Sequence, residues 1–212
     1  MTQYEVGEVA RPVTGRWMRA SVLAGLLGGA MTAVTGLALL TVLNEAEFEY
    51  VEPFGTLAML VLAFALPALY ASERQWFDRL ATVGFGLLSV GWVAATLGLV
   101  VTSLTVPPVS EVGFLAFLLG LLVATLGMLA FGAAVLRDGA ATLPRVGAWL
   151  LVAALPVGVP FAIAFTTYVM GEAADPWAGP MLCYGLAWIV FGRYLWGRRA
   201  GTAATEVAAQ SQ

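Results

Sequence analysis

The chain has 212 residues, of which 60% are hydrophobic and only 11% are charged, and 24 are glycine. Soluble domains carry about 25% charged residues, so this composition excludes a water-soluble globular domain. The sequence has no histidine, no lysine and one cysteine, Cys183. It therefore excludes histidine-ligated haem, a Schiff-base retinal site, a zinc cluster and an internal disulfide, and we expect no cofactor and no bound metal.

Six stretches without Asp, Glu, Lys or Arg are long enough to cross about 30 Å of hydrocarbon as helices. Loops of only five to nine residues separate them, which forces neighbouring spans to run antiparallel. We predict an all-α polytopic membrane protein, a bundle of six transmembrane helices in three antiparallel hairpins. The predicted spans are 20–43, 53–72, 80–104, 112–136, 146–170 and 176–192, within a transmembrane domain over 20–199.

The arginines predict the orientation, because cations near span ends are retained on the cytoplasmic side. All ten flank the same ends of the six spans, and the opposite loops carry only acids, namely Glu45, Glu47, Glu49, Glu52, Glu111, Glu172 and Asp175. This pattern predicts a multi-pass protein of the cell membrane with a cytoplasmic N-terminal tail (1–19) and a disordered cytoplasmic C-terminal tail (200–212). The first span, about 24 residues long, exceeds the apolar region of a signal peptide, so we expect it to remain uncleaved.

An arginine opens each odd span and an acid opens each even one, 33, 32 and 30 residues later. This spacing raises the hypothesis that the three hairpins are repeats of one unit. The alternative is that bilayer thickness alone sets a hairpin length near 30 residues. The four glutamates of the first acidic loop could bind Ca²⁺ or Mg²⁺, but without an EF-hand pattern we expect a solvated loop.

Glycine recurs every seven residues in four spans, which keeps one small-residue stripe facing a partner helix. Because lipid tails are as apolar as leucine, membrane helices associate by close backbone approach at such residues. We expect these stripes to be helix-packing seams, with spans one, three, four and six in the interior and spans two and five more peripheral. The seam positions are Gly29, Gly36, Gly84, Gly91, Gly98, Gly113, Gly120, Gly127, Gly185 and Gly192. The same stripes fit either packing within one chain or a homo-oligomer interface.

Span five is irregular, because Pro156 and Pro160 flank Gly158 and each proline removes a backbone hydrogen bond. Carbonyls released there, with Thr166 and Thr167 further along, outline a speculative solute path of the kind that broken helices build. The alternative is a simple kink whose backbone is satisfied by neighbours.

The spans contain no Asp, Glu, Asn, Gln or Arg, whereas ion-coupled transport and intramembrane catalysis depend on such groups. We therefore predict that the protein is not an enzyme. We expect the scattered hydroxyls of the spans to bond their own helices, and Trp92 and Trp188, deep inside their spans, to face other helices. The arginines are spread over four segments, so nucleic acid is not an expected partner.

Two stretches carry a resemblance: Arg137-Asp138-Gly139 leading into Leu143-Pro144-Arg145-Val146-Gly147-Ala148-Trp149, and Tyr184-Gly185-Leu186-Ala187-Trp188-Ile189-Val190-Phe191-Gly192-Arg193. The chain resembles six-span integral membrane proteins of bacteria and archaea to which no activity is assigned. Their pattern is a Leu-Pro-Arg turn opening span five and a Gly-x-x-Trp span six that ends in Arg and Trp. The resemblance covers the final third and implies a six-helix membrane protein without supplying functional residues.

Together these features favour a structural or accessory membrane component, surrounded by the lipid bilayer and serving a membrane protein partner or a second copy of itself. The alternative is a small permease or channel for a neutral or weakly polar solute.

Overall fold

The computed structural model describes residues 16–41, 45–138, 142–171 and 175–210, and every regular element in these ranges is helical. A 3-10 turn (Arg74–Trp76) and two π-helical segments (Ala154–Gly158 and Thr166–Met170) interrupt the α-helices. The α-helices are α1 (Arg16–Thr41), α2 (Glu45–Ala63), α3 (Leu66–Glu73), α4 (Arg79–Leu104), α5 (Val109–Asp138), α6 (Arg145–Ala153), α7 (Val159–Phe165) and α8 (Ala178–Gln210). The prediction of an all-α protein is confirmed for these residues.

Five helical segments of the described chain are long and apolar enough to cross a membrane. Their lengths of 24 to 29 residues match the 17–25 residues that a hydrocarbon core requires, with some excess at the ends. The segments are Arg16–Thr41, Pro53–Trp76, Arg79–Leu104, Val109–Arg137 and Arg145–Met170. The composition and the structure thus agree on a polytopic membrane protein.

The second of these segments is broken between α2 and α3. Pro67 has no N–H to donate to the carbonyl one turn earlier, and the chain tightens into a turn at 64–65. There, the N–H groups of Phe64 and Ala65 bond three residues back, to Val61 and Leu62. Pro53, where the sequence predicts this span to begin, instead lies inside α2, because the helix already starts at Glu45.

The fifth segment is the most irregular, as its prolines predict. It runs through α6, a π-helical segment containing Pro156, α7 and a second π-helical segment, and ends at Gly171 in the left-handed conformation (φ 79°). A π turn absorbs the missing proline hydrogen bond by widening the helix locally. The irregular hydrogen bonding is therefore spread over Ala154–Gly158 and does not fall at a single residue.

The bundle is organised around two close helix pairs, α4 with α5 and α1 with α8, and α1 also packs along α2. Half of the apolar stretch of α1 is buried and 44% of that of the second segment, but only 33% in α4 and in α5. These fractions contradict the expectation that spans three and four are interior and span two is peripheral, whereas span five, at 28%, is peripheral as expected. Glycine marks close approach between two helices, and such a pair can lie at the edge of the bundle.

The ends of the chain differ from the sequence-based expectation. Residues 16–19, assigned to the N-terminal tail, belong to α1, and residues 1–15 lie outside the described part. Helix α8 continues to Gln210, although composition predicts disorder from residue 200. At 33 residues it is about 50 Å long, well beyond the hydrocarbon thickness. Alanines at 203, 204, 208 and 209 favour this helical continuation.

Candidate functional site

The six predicted seam glycines of α4 and α5 face each other along the full contact between the two helices. A Cβ on Gly91 would lie 2.6 Å from the carbonyl oxygen of Gly120, and one on Gly98 would lie 2.6 Å from that of Gly113. Towards the end of the bundle where Arg79 and Arg137 lie, here called the Arg-rich end, a Cβ on Gly127 would lie 2.8 Å from the Gly84 carbonyl oxygen. The contacts run in opposite order along the two helices, which are therefore antiparallel and in backbone contact.

The remaining seam glycines join α1 to α8. A Cβ on Gly29 would lie 2.9 Å from the Gly185 carbonyl oxygen, and one on Gly36 would lie 2.6 Å from the backbone nitrogen of Leu182. Gly192 packs against the Leu26 side chain. This pair is also antiparallel, and it brings together two helices that are far apart in the sequence.

The residues of the speculative solute path do not line a common interior surface. Pro156, Pro160 and Thr167 lie on the exposed face of the fifth segment. Thr166 is buried, and its hydroxyl donates to the carbonyl of Ala162 at 2.9 Å. Gly158 is pressed against the backbone of α8, where a Cβ would lie 2.8 Å from the nitrogen of Pro180. The break thus serves a close helix contact on one side and turns its prolines outward on the other.

Sequence reasoning missed a buried carboxylate at the Arg-rich end of the bundle. Glu73, the final residue of α3, is completely buried. Its Oε1 accepts a hydrogen bond from Nη1 of Arg198 at 2.7 Å, and Thr142 donates its hydroxyl to Oε2. Nη1 of Arg198 also reaches the hydroxyls of Thr142, at 3.1 Å, and Tyr194, at 3.3 Å. The carboxylate therefore joins α3, the segment before α6 and α8.

The electrostatics of this pair are asymmetric. The Glu73 side chain has no exposed surface, whereas 45% of the Arg198 side chain is exposed. The guanidinium also lies 5.6 Å from the centre of the Tyr194 ring, within cation–π range. A buried charge is stable only when it is paired and hydrogen-bonded, and both carboxylate oxygens meet that condition. One feature of the sequence pointed to this site: Glu73 is an acid next to Arg74, at the side of the bundle where the other spans end in arginines.

An aromatic cluster at the same end of the bundle includes Tyr70 and Phe77, which flank Glu73 in the sequence. Tyr70 stacks on Phe85 at 5.7 Å between ring centroids, and Phe131 meets both Phe85 and Phe77 edge-on at 5.6 and 5.4 Å. The four rings come from α3, the following turn, α4 and α5. Edge-on and offset pairs of this kind add about 0.5–1.5 kcal/mol each beyond area burial.

Most hydroxyls inside the spans bond their own helix, as expected. Thr32 donates to the Gly28 carbonyl at 2.7 Å and Thr96 to the Trp92 carbonyl at 2.8 Å. Trp92 is buried and donates its indole N–H to the Met59 carbonyl at 2.9 Å, which confirms that it faces another helix. These groups are satisfied and leave no donor or acceptor directed at a ligand.

Four buried polar atoms of the described residues have no hydrogen-bond partner: Ser89 Oγ, Thr125 Oγ1, Tyr184 Oη and Trp188 Nε1. The hydroxyls of Thr125 and Tyr184 lie close together across α5 and α8, but neither makes a hydrogen bond of ordinary geometry. Trp188 is 3% exposed, packs against Gly29 and meets Phe191 edge-on. An unsatisfied buried donor costs about 1–3 kcal/mol, so each such group calls for a physical explanation.

No group of three or more Asp, Glu, Cys or His side chains in the described residues could hold a metal ion. The side chains of the predicted acidic loop, Glu45, Glu47, Glu49 and Glu52, lie outside the described part. No protein-family model, curated protein or solved structure matches the chain. The residues and their contacts are thus the whole basis for a functional proposal.

Proposed function

We propose that the protein is a structural or accessory component of a cell membrane, with six spans in three antiparallel hairpins. Five spans are the apolar segments described above, and α8 supplies the sixth. The proposal is carried by the glycine seams, where α4 meets α5 and α1 meets α8 with backbone against backbone. Such contacts leave no room for one helix to slide or tilt past its partner, which suits a component that holds a fixed shape.

The Glu73–Arg198 pair supports the same function. It connects Glu73, at the end of α3, directly to α8, and Thr142 ties in the segment before α6. A buried ion pair contributes little net stability but strongly penalises arrangements that leave the carboxylate alone. It therefore favours one relative placement of these segments over all others.

We propose further that both termini and the Arg-rich loops face the cytoplasm. Within the described residues, the arginines at 16, 19, 74, 79, 137, 145, 193 and 198 are all exposed at this end. Exposed tryptophans at 17, 76, 149 and 196 accompany them, as expected at a headgroup interface. The anionic surface of a cytoplasmic leaflet attracts such cations, at about 1 kcal/mol each.

The orientation can be tested with single cysteines, because Cys183 is the only natural one. In a Cys183→Ser background, Gln75→Cys reports the turn after α3, and Val106→Cys reports the turn between α4 and α5; both positions are exposed. In sealed inside-out vesicles, an impermeant maleimide should label Gln75→Cys at once and Val106→Cys only after the membrane is opened. The reverse pattern, or equal labelling of both, would refute the proposed topology.

The accessory role is tested by purifying the tagged chain from its own membranes in a gentle detergent and measuring its mass with bound proteins. A companion at a fixed molar ratio, which recovers this chain when the companion is tagged in turn, is the expected result. Repeated recovery of the chain alone, with flux of a small neutral solute into proteoliposomes that contain it, would replace this proposal by a permease. Recovery of the chain without a companion, and without solute flux, would leave only a structural role that needs no partner protein.

A further inference from the structure

A small cavity lies between α1, α3 and α8, just inside the membrane from the Glu73–Arg198 pair. Its volume is about 10 Å³, and Leu69 and Leu195, each about one turn from one of the two charged residues, form part of its wall. A cavity must have a volume of about 10–15 Å³ to hold one water molecule, so this cavity is at the lower limit. Size therefore restricts the occupant to a single water and excludes any larger solute.

Two of the residues that line this largely apolar cavity, Trp188 and Ser21, have polar side chains. Trp188 is 3% exposed, and its indole Nε1, which can only donate, has no partner within the described chain. Ser21 is 7% exposed, and its hydroxyl donates to the Phe64 carbonyl at the break between α2 and α3. Donation uses the one hydroxyl proton of Ser21 and leaves its oxygen able to accept.

We propose that this cavity binds one structural water, which accepts the indole N–H of Trp188 and donates to Oγ of Ser21. The water would satisfy the one buried indole nitrogen of the described residues that has no partner and, through Ser21, connect α8 to the Phe64 carbonyl at the Pro67 break. Buried waters typically make two to four hydrogen bonds to groups that would otherwise be unsatisfied, and Trp188 and Ser21 supply two. The proposal concerns hydration of the bundle and does not depend on the accessory role.

A second buried tryptophan, Trp92, is an internal control for a test of this proposal by NMR. With ¹⁵N-labelled tryptophan in the full-length protein in lipid nanodiscs, the Trp188 indole signal is identified by its disappearance in Trp188→Phe. It should show a direct magnetisation-transfer peak from a long-lived water, whereas the Trp92 indole, bonded to the Met59 carbonyl, should show none. Absence of the Trp188–water peak in the wild-type spectrum overturns the proposal without any variant.

A second variant separates a bound water from exchange through the Ser21 hydroxyl. Gly25 lines the cavity, and a Cβ there would lie 3.3 Å from the Ala65 Cβ, a tight contact that needs only a small shift. Gly25→Ala should therefore fill the cavity and abolish the Trp188–water peak while Ser21 remains. Gly86→Ala is the matched control, because nothing lies within 4 Å of a Cβ at that position, and it should leave the peak unchanged. Persistence of the full peak in Gly25→Ala refutes the proposal.

Discussion

The Glu73–Arg198 pair predicts an unusual ordering of variant stabilities. Replacing Arg198 by Met leaves a fully buried carboxylate with only the Thr142 hydroxyl as a partner. Removing one member of a buried pair costs about 3–5 kcal/mol, and the remaining hydrogen bond places this case near the lower end, at about 3 kcal/mol. Replacing Glu73 by Gln removes the charge instead, and the half-exposed guanidinium can regain water, so we expect a loss of about 1.5 kcal/mol.

The combined variant gives the decisive comparison. Glu73→Gln with Arg198→Met contains no stranded charge, so it should be about 1.5 kcal/mol more stable than Arg198→Met alone and depart from additivity by about 3 kcal/mol. The assay is unfolding in mixed micelles with increasing denaturing detergent, followed by helical circular dichroism. Arg193→Met, on the same helix and outside this network, is the control and should leave stability unchanged. A double variant that is less stable than Arg198→Met would refute the reasoning.

Two further variants test the packing of the spans. Gly91→Leu should separate α4 from α5 and lower the free energy of unfolding by about 3 kcal/mol or more, because a side chain there meets the backbone of Gly120 and Ala124. Gly86→Ala on the same helix should leave stability unchanged, and equal effects of the two variants would contradict the seam. Trp92→Phe keeps an aromatic ring but is smaller and leaves the Met59 carbonyl without its indole donor. Detergent unfolding should therefore show a loss of about 1 kcal/mol or more, and no loss would mean that this hydrogen bond contributes nothing net.

Much of the helical framework could be predicted from the sequence, because the bilayer imposes a length and a composition on each span. Span ends were less predictable. Glu45 and Arg16 begin helices well before the apolar windows do, since a helix continues into water as long as its backbone bonds are local. The break at Pro67 and the π-helical segment around Pro156 follow from the missing proline N–H, but proline alone does not say which way the widened helix will face.

The candidate site was harder to predict, for a different reason. A seven-residue glycine period identifies positions that touch a neighbouring backbone, but short loops constrain only neighbours in sequence and say nothing about α1 meeting α8. Glu73 and Arg198 are 125 residues apart, and neither lies in a periodic pattern. Their pairing depends on the register of α3 against α8, which tertiary packing sets. The unpaired nitrogen of Trp188 is likewise visible only once its surroundings are in place.

The pairing of α1 with α8 has a consequence for biosynthesis. A membrane insertase releases α1 long before α8 has been made, so the glycine stripe of α1 must wait for its partner while the intervening helices are inserted. The α4–α5 hairpin has no such delay, because α5 is synthesised directly after α4 and the two helices can pack together at once. Ribosome pausing or truncation ahead of α8 should therefore yield a chain in which the α4–α5 hairpin is closed and the glycine stripe of α1 has no α8 to pack against.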